Sequence, residues 1–174
     1  MPQTRKNEQR PWWTRRSFFT AAVAFALVPG VLTHQAWRVP YTAQEVGGPG
    51  IHAGALEALN RLRALSHTRW TVVSGFRDRA HNAAVGGAKH SKHVKGTAFD
   101  VVVTRDERPA FYSAAKEAGF IAFGWGNRTV HIDTGPRRWW TYDDAGRHLS
   151  GRAKHAHLHK SPPEFQRDFR LSQR

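Results

Sequence analysis

Apolar positions change period several times along the chain, and the changes mark out its elements. From residue 51 onward Leu56, Leu59, Leu62 and Leu65 recur every three residues with Ala55 and Ala58 nearby, while Arg61 and Arg63 fall off the stripe. That pattern predicts an amphipathic helix. Trp70 to Val73 reads as a strand broken by Ser74-Gly75, and Asp78 to Val85 as a short helix ended by Gly86-Gly87. Thr97 to Val103 is β-branched and apolar enough for a buried strand. A polar turn over 104–108 leads to Pro109 at a first helical position, a helix over 110–118, and Gly119 as its stop. Ile121 to Trp125, a Gly126-Asn127 turn and Thr129 to Asp133 predict a hairpin. The sum is a small α+β domain: helices on one face of a mainly antiparallel sheet, with a groove on the other.

The two ends of the chain follow different rules. Thr14-Arg15-Arg16-Ser17-Phe18-Phe19 resembles a twin-arginine export signal, and Ala21 to Leu32 is an apolar run too short to cross a bilayer, which takes ~20 residues. Residues 1–36 are therefore expected to be a cleaved signal. An uncleaved N-terminal membrane anchor is the second reading and a basic arm the third. Residues 37–50, with Gly47-Gly48-Pro49-Gly50, form a linker. The domain itself runs over 51–140. Residues 141–174 form a basic C-terminal extension broken by Pro162-Pro163, with Phe165 to Phe169 as one helical turn that packs back.

Composition narrows the chemistry. There is no cysteine among the 174 residues, so any metal must be held by His, Asp or Glu. The net charge of +14 is spread along the chain: five basic and one acidic residue in 1–20, thirteen and eight in 21–136, nine and four in 137–174. Such a surface suits a polyanion of any kind, whether nucleic acid, anionic lipid or an anionic envelope polymer.

Asp100 is the residue that needs an explanation. In the 97–103 strand it shares a face with Ala98 and Val102, and a carboxylate there is costly unless something charged meets it. His93 lies just upstream in a polar turn, and His131 and Asp133 alternate on one face of a second short strand. His93, Asp100 and His131 would make a three-ligand zinc site with a fourth position open.

These residues also carry a family resemblance. Ser-x-His-x-x-Gly-x-Ala-x-Asp over 91–100, preceded by Val73-Ser74-Gly75-Phe76-Arg77 and by 82–89, resembles the zinc D-Ala-D-Ala carboxypeptidase family, which shares its fold and zinc site with lysostaphin-type peptidases and the hedgehog domain. Gly119-Phe120, Phe123-Gly124 and Val130 to Pro136, with Arg138 and Trp139, resemble the same family's C-terminal block. The resemblance runs from about 51 to 140 and is strongest to bacterial and phage peptidoglycan peptidases. It implies Zn2+ as cofactor and peptidoglycan peptides as partners; a monomer is expected, and the twin-arginine-like signal implies export to the periplasm or cell envelope, with membrane anchoring as the alternative.

The resemblance also assigns roles. Arg77 matches an arginine that faces the substrate carbonyl, where it would stabilise an oxyanion or grip a carboxylate. Ser91 matches a substrate-contacting position, with capping of its own turn as the alternative. Many members carry Glu or Asp three residues before the last histidine ligand as general base; this chain has Arg128, which cannot accept a proton. Asp133 is the nearest carboxylate, as base or as a group that orients His131. His90 is a further proton carrier to consider, and Asn82 with Gly86-Gly87 reads as structural.

Two features lie outside the resemblance. His155, His157 and His159 alternate along 153–160 and would share a face in a strand, though flanking Lys154 and Lys160 would repel a cation. Trp139, Trp140 and Tyr142 beside Arg137 and Arg138 suit packing against the domain better than nucleic-acid stacking. The expected function is hydrolysis of D-amino-acid-containing peptide bonds in peptidoglycan, with an inactive zinc-containing wall-binding module as alternative. A nucleic-acid-binding protein is the remote third, so no nucleic acid is expected.

Overall fold

Alternation along five strands sorts the side chains into a greasy face and a chemical face, and this division sets the architecture. A computed structural model describes residues 39–174. The strands are β1 (Trp70–Ser74), β2 (Ala98–Val103), β3 (Ala122–Trp125), β4 (Thr129–Asp133) and β5 (Arg138–Thr141). They form one sheet in the order β1-β2-β4-β3-β5, antiparallel throughout except for the parallel pair of β3 with β5. The helices are α1 (Ala53–Leu65), α2 (Arg79–Ala84), α3 (Arg108–Glu117), α4 (Gly151–Leu158) and α5 (Pro163–Ser172).

Phe99, Val101, Val103, Val130, Ile132, Phe123, Trp125 and Trp139 line one face and join a core with residues of α1, α3 and α5. Each fully buried side chain of this size adds roughly 1.5–3 kcal/mol. Asp100, His131, Asp133, Gly124, Arg138 and Trp140 occupy the intervening positions, and so look out from the opposite face.

Local chemistry accounts for the element ends. Asp78 caps α2 by accepting the His81 N–H at 2.7 Å. Pro109 sits in the first turn of α3, where no N–H is needed. On α1 the buried positions are Ala55, Ala58, Leu59 and Leu62, whereas Leu65 is 36% exposed. A strict three-residue repeat slips around a helix of 3.6 residues per turn, so its last leucine leaves the core.

The C-terminal residues differ most from expectation. β5 and α4 have no counterpart in the sequence reading, and α5 is ten residues long rather than a single turn. Phe165 and Phe169 of α5 belong to the same core as the strands. Trp139 Nε1 donates to Tyr112 Oη at 2.7 Å, and Tyr112 Oη donates to Asp168 at 2.8 Å, linking β5, α3 and α5. His155, His157 and His159 lie on or at the end of α4, not on a strand, so His157 is turned about 200° from each of the other two and the three share no face. His157 is buried while His155 and His159 are exposed.

The twin-arginine-like stretch and the apolar run over 21–32 lie outside the described residues. Among those described, no helix is long and apolar enough to cross a membrane.

Candidate metal centre

The centre is assembled by three segments. β2 and β4 pair so that Asp100 is directly opposite His131, on the face away from the core. His93 comes from the turn that leads into β2. Ser91 Oγ accepts the His93 N–H at 3.2 Å, and the His93 carbonyl accepts the N–H groups of Gly96 at 3.0 Å and Arg77 at 3.2 Å. The Ser91 hydroxyl thus caps its own turn, and the Ser91 N–H donates to the Ala88 carbonyl at 2.9 Å. Asn82 braces the preceding loop, donating to the Ala88 carbonyl at 3.0 Å while its own carbonyl accepts from Gly87.

Gly96 is required at its position. Its φ is +66°, and a Cβ there would lie 1.9 Å from the Gly50 carbonyl oxygen. Its own carbonyl accepts the His52 N–H at 2.9 Å, which ties the histidine turn to the start of α1.

Three ligand atoms converge. His93 Nε2 lies 3.2 Å from His131 Nδ1 and 3.2 Å from Asp100 Oδ1, and His131 Nδ1 lies 2.9 Å from Asp100 Oδ1. Ligand atoms of a tetrahedral zinc with bonds of ~2.0–2.1 Å are about 3.3 Å apart, so the triangle is of the right size. Its hydrogen-bonding partners also fix the tautomers. His93 Nδ1 donates to the Gly75 carbonyl at 2.7 Å, leaving Nε2 as a bare lone pair facing the cluster. His131 Nε2 donates to Asp133 Oδ2 at 3.0 Å, turning Nδ1 inward in the same way. A proton on His131 Nδ1 satisfies only one contact among three acceptors, and a cation satisfies all of them. The donor set fits Zn2+.

The electrostatics agree. Burial alone would raise the pKa of Asp100, but the charge of His93 and the hydrogen bonds and charge of the two imidazoles hold it well below the usual carboxylate range. Burial would lower that of His131, yet the hydrogen bonds and charges of Asp100 and Asp133 raise it, so the site as a whole attracts positive charge. Asp133 is fully buried. Its pKa is held down against burial by His131, Arg138 and the Gly135 N–H.

The remaining sequence-selected residues fall around this triangle. Arg77 does not face open solvent beside the metal position. Its Nη2 pairs with Asp100 Oδ2 at 2.5 Å and its Nε donates to Ser74 Oγ at 2.8 Å, so it braces the ligand carboxylate. Asp133 stands across the His131 ring from the cluster, with its oxygens taken by His131, Gly135 and Arg138. Those contacts correspond to the orienting role rather than that of a base. His90 is exposed, and Arg128 is 84% exposed with Asp144 3.9 Å away.

Sequence reasoning missed two neighbours. Arg138 clamps Asp133, and Trp140 lies flat over Gly124 with its ring 5.1 Å from that of His131. The signal was the alternation of Arg138 and Trp140, which places both on one face once 138–141 is recognised as a strand. His148, 5.8 Å from Trp140 and nearly parallel to it, continues this wall.

The family model for peptidase M15 matches residues 31–133, more than half of the chain and inclusive of all three ligand positions. The chain belongs to the peptidase M15 family. Among curated relatives of this M15 chain, a zinc D-Ala-D-Ala carboxypeptidase of Streptomyces albus G is 29% identical over 115 residues, covering 61% of the chain. The match takes in 45% of that protein, so the chain spans less than half the length of the relative. Among solved structures, the L-Ala D-Glu endopeptidase ChiX of Serratia marcescens aligns with a TM-score of 0.39 and 20% identity, over 48% of this chain and 80% of that one.

Proposed function

We propose that the chain is a zinc-dependent peptidase that hydrolyses D-amino-acid-containing peptide bonds of peptidoglycan stems or cross-links after export to the cell envelope. The observation that carries this reading is the convergence of His93 Nε2, Asp100 Oδ1 and His131 Nδ1 with both imidazole tautomers fixed from outside. Membership of a peptidase family and the D-Ala-D-Ala specificity named for the Streptomyces relative support the substrate class. Zinc bound there supplies Lewis acidity to a substrate carbonyl and to water. The chain's own residues hold the site in shape. Asp133 keeps the proton on His131 Nε2, Arg138 offsets the charge of Asp133, Arg77 fixes the rotamer of Asp100, and Trp140 shields one side of His131.

One observation favours a second reading, a zinc-containing wall-binding module of the same fold. The position three before His131 carries the exposed Arg128, and Asp133 is fully engaged, so neither supplies a free carboxylate beside the triangle. Purified muropeptides incubated with zinc-loaded protein, with and without chelator, decide between the two. Mass spectrometry should show cleavage that chelator abolishes and added zinc restores. Intact muropeptides in the presence of stoichiometric zinc would refute the peptidase reading, and binding without turnover would establish the module.

A further inference from the structure

Lys92 stands between Ser91, which caps the histidine turn, and the ligand-type His93. Its carbonyl accepts the N–H groups of Lys95 at 3.2 Å and Thr97 at 3.0 Å, which fixes where its side chain starts. From there the side chain folds over Gly135, just beyond the end of β4. A Cβ built on that glycine would lie 2.7 Å from Lys92 Cε and 2.8 Å from Nζ. Any side chain at 135 would therefore displace the lysine tip. The same Cβ would lie 2.7 Å from Asp133 Oδ1, so the ammonium ends beside the group that orients His131, on the face of the metal centre.

Charge matching singles this cation out. Asp100 is paired with Arg77 and Asp133 with Arg138, so the two carboxylates of this face are already matched one for one. Asp133 also has no acceptor position to spare for the ammonium. Its Oδ1 takes the Gly135 N–H at 2.8 Å and Arg138 Nη1 at 3.4 Å, and its Oδ2 takes His131 Nε2 at 3.0 Å and Arg138 Nη2. Arg138 is committed in turn, because Nη1 donates to the Pro136 carbonyl at 3.2 Å as well. Lys92 is different. Among the described residues its ammonium has neither a hydrogen bond nor an ion pair, although the residue is half-buried. Packing on Gly135 positions three donors that nothing in the fold uses.

We propose that Lys92 is a specificity-determining residue that binds a carboxylate of the peptide substrate, at its C-terminus or on a side chain. The proposal rests on the peptidase reading and deepens it, since it names the feature of the peptide that the groove recognises. The carboxylate accepts from Lys92 Nζ, and the positive charge left over at this end of the groove favours it. A peptide in which that carboxylate is an amide loses the charge-assisted bond.

The test uses the zinc-loaded full chain and one synthetic stem peptide that contains a single glutamate and ends in D-Ala-D-Ala. It is made in three forms: both carboxylates free, the C-terminal one amidated, and the glutamate one amidated. Cleavage followed by mass spectrometry gives KM and kcat, and titration calorimetry gives Kd for any form that is not cleaved. Amidating the carboxylate that Lys92 binds should raise KM by about tenfold, the size of one hydrogen bond to a charged group, with kcat little changed. The form that shows the loss identifies which carboxylate it is. Lys92→Met should weaken the free peptide by the same factor and treat all three forms alike, and Lys92→Arg should restore the discrimination. Lys95→Met, an exposed position in the same turn with the same charge change, should leave the discrimination intact. Equal handling of the three forms by the wild type, or discrimination that survives Lys92→Met, would overturn the assignment. An equal loss in Lys95→Met would show diffuse charge attraction, and loss of bound zinc from Lys92→Met a structural role; either would also overturn it. If no form is cleaved, the peptidase reading fails by itself, and the Kd values still decide the role of Lys92.

Discussion

The two nitrogens of His131 face different partners, and its place in the centre follows from that division. Nδ1 looks toward His93 and Asp100, while Nε2 donates to a carboxylate that is itself clamped by Arg138. Removing that carboxylate leaves the ring free to rotate or to take the wrong tautomer. Asp133→Ala should therefore weaken zinc binding by about 10–100-fold, measured by competition with a chromophoric chelator. Unchanged affinity would show that Asp133 does not orient the ring. The strand period makes it legible that residues 131 and 133 share a face, and the blocks around residues 93, 100 and 131 mark the ligand triangle itself. Which ring nitrogen meets which carboxylate depends on side-chain rotamers, and the clamp by Arg138 depends on the parallel register of β5 on β3, which no local pattern encodes.

At the scale of elements, the centre depends on a turn that only glycine permits. Gly96→Ala would force a side chain into the Gly50 carbonyl at a positive φ. It should destabilise the protein by roughly 1–3 kcal/mol or more in chemical unfolding and reduce zinc retention. Wild-type stability with full zinc content would contradict this account of the turn. The α3–α5 contact gives a pH signature. Asp168 accepts from Tyr112 at 2.8 Å and Lys116 at 2.6 Å, with Arg167 3.6 Å away. Burial pushes its pKa up, and the hydrogen bonds from Lys116 and Tyr112 bring it below the ordinary value. A depressed carboxylate stabilises the fold above its unfolded pKa of ~3.9, and that stability is lost as pH falls through the folded value. Asp168→Asn should thus lower stability at pH 7 and flatten its decline below about pH 4, as followed by urea unfolding at several pH values. A decline as steep as the wild type would remove Asp168 from the linkage. The strands and helices over 53–133 were legible because alternation and glycine or proline punctuation coincide there. β5, α4 and most of α5 were not: their apolar residues are sparse, and Trp139, Phe165 and Phe169 find the core only through tertiary contacts.

For the molecule as a whole, one sheet separates stability from chemistry. The apolar face carries the core, and the opposite face carries every group assigned to the metal centre. The net charge of +14 acts at longer range than the contacts of either layer. The peptidase reading depends on one cation being shared by three side chains that β2, β4 and the 91–97 turn bring together. Anomalous diffraction at the zinc edge from crystals of the zinc-loaded protein tests this directly. The account predicts a dominant peak within about 2.3 Å of His93 Nε2, Asp100 Oδ1 and His131 Nδ1. A dominant peak elsewhere, for instance at His155 and His159 on α4, or none at the triangle, would contradict it.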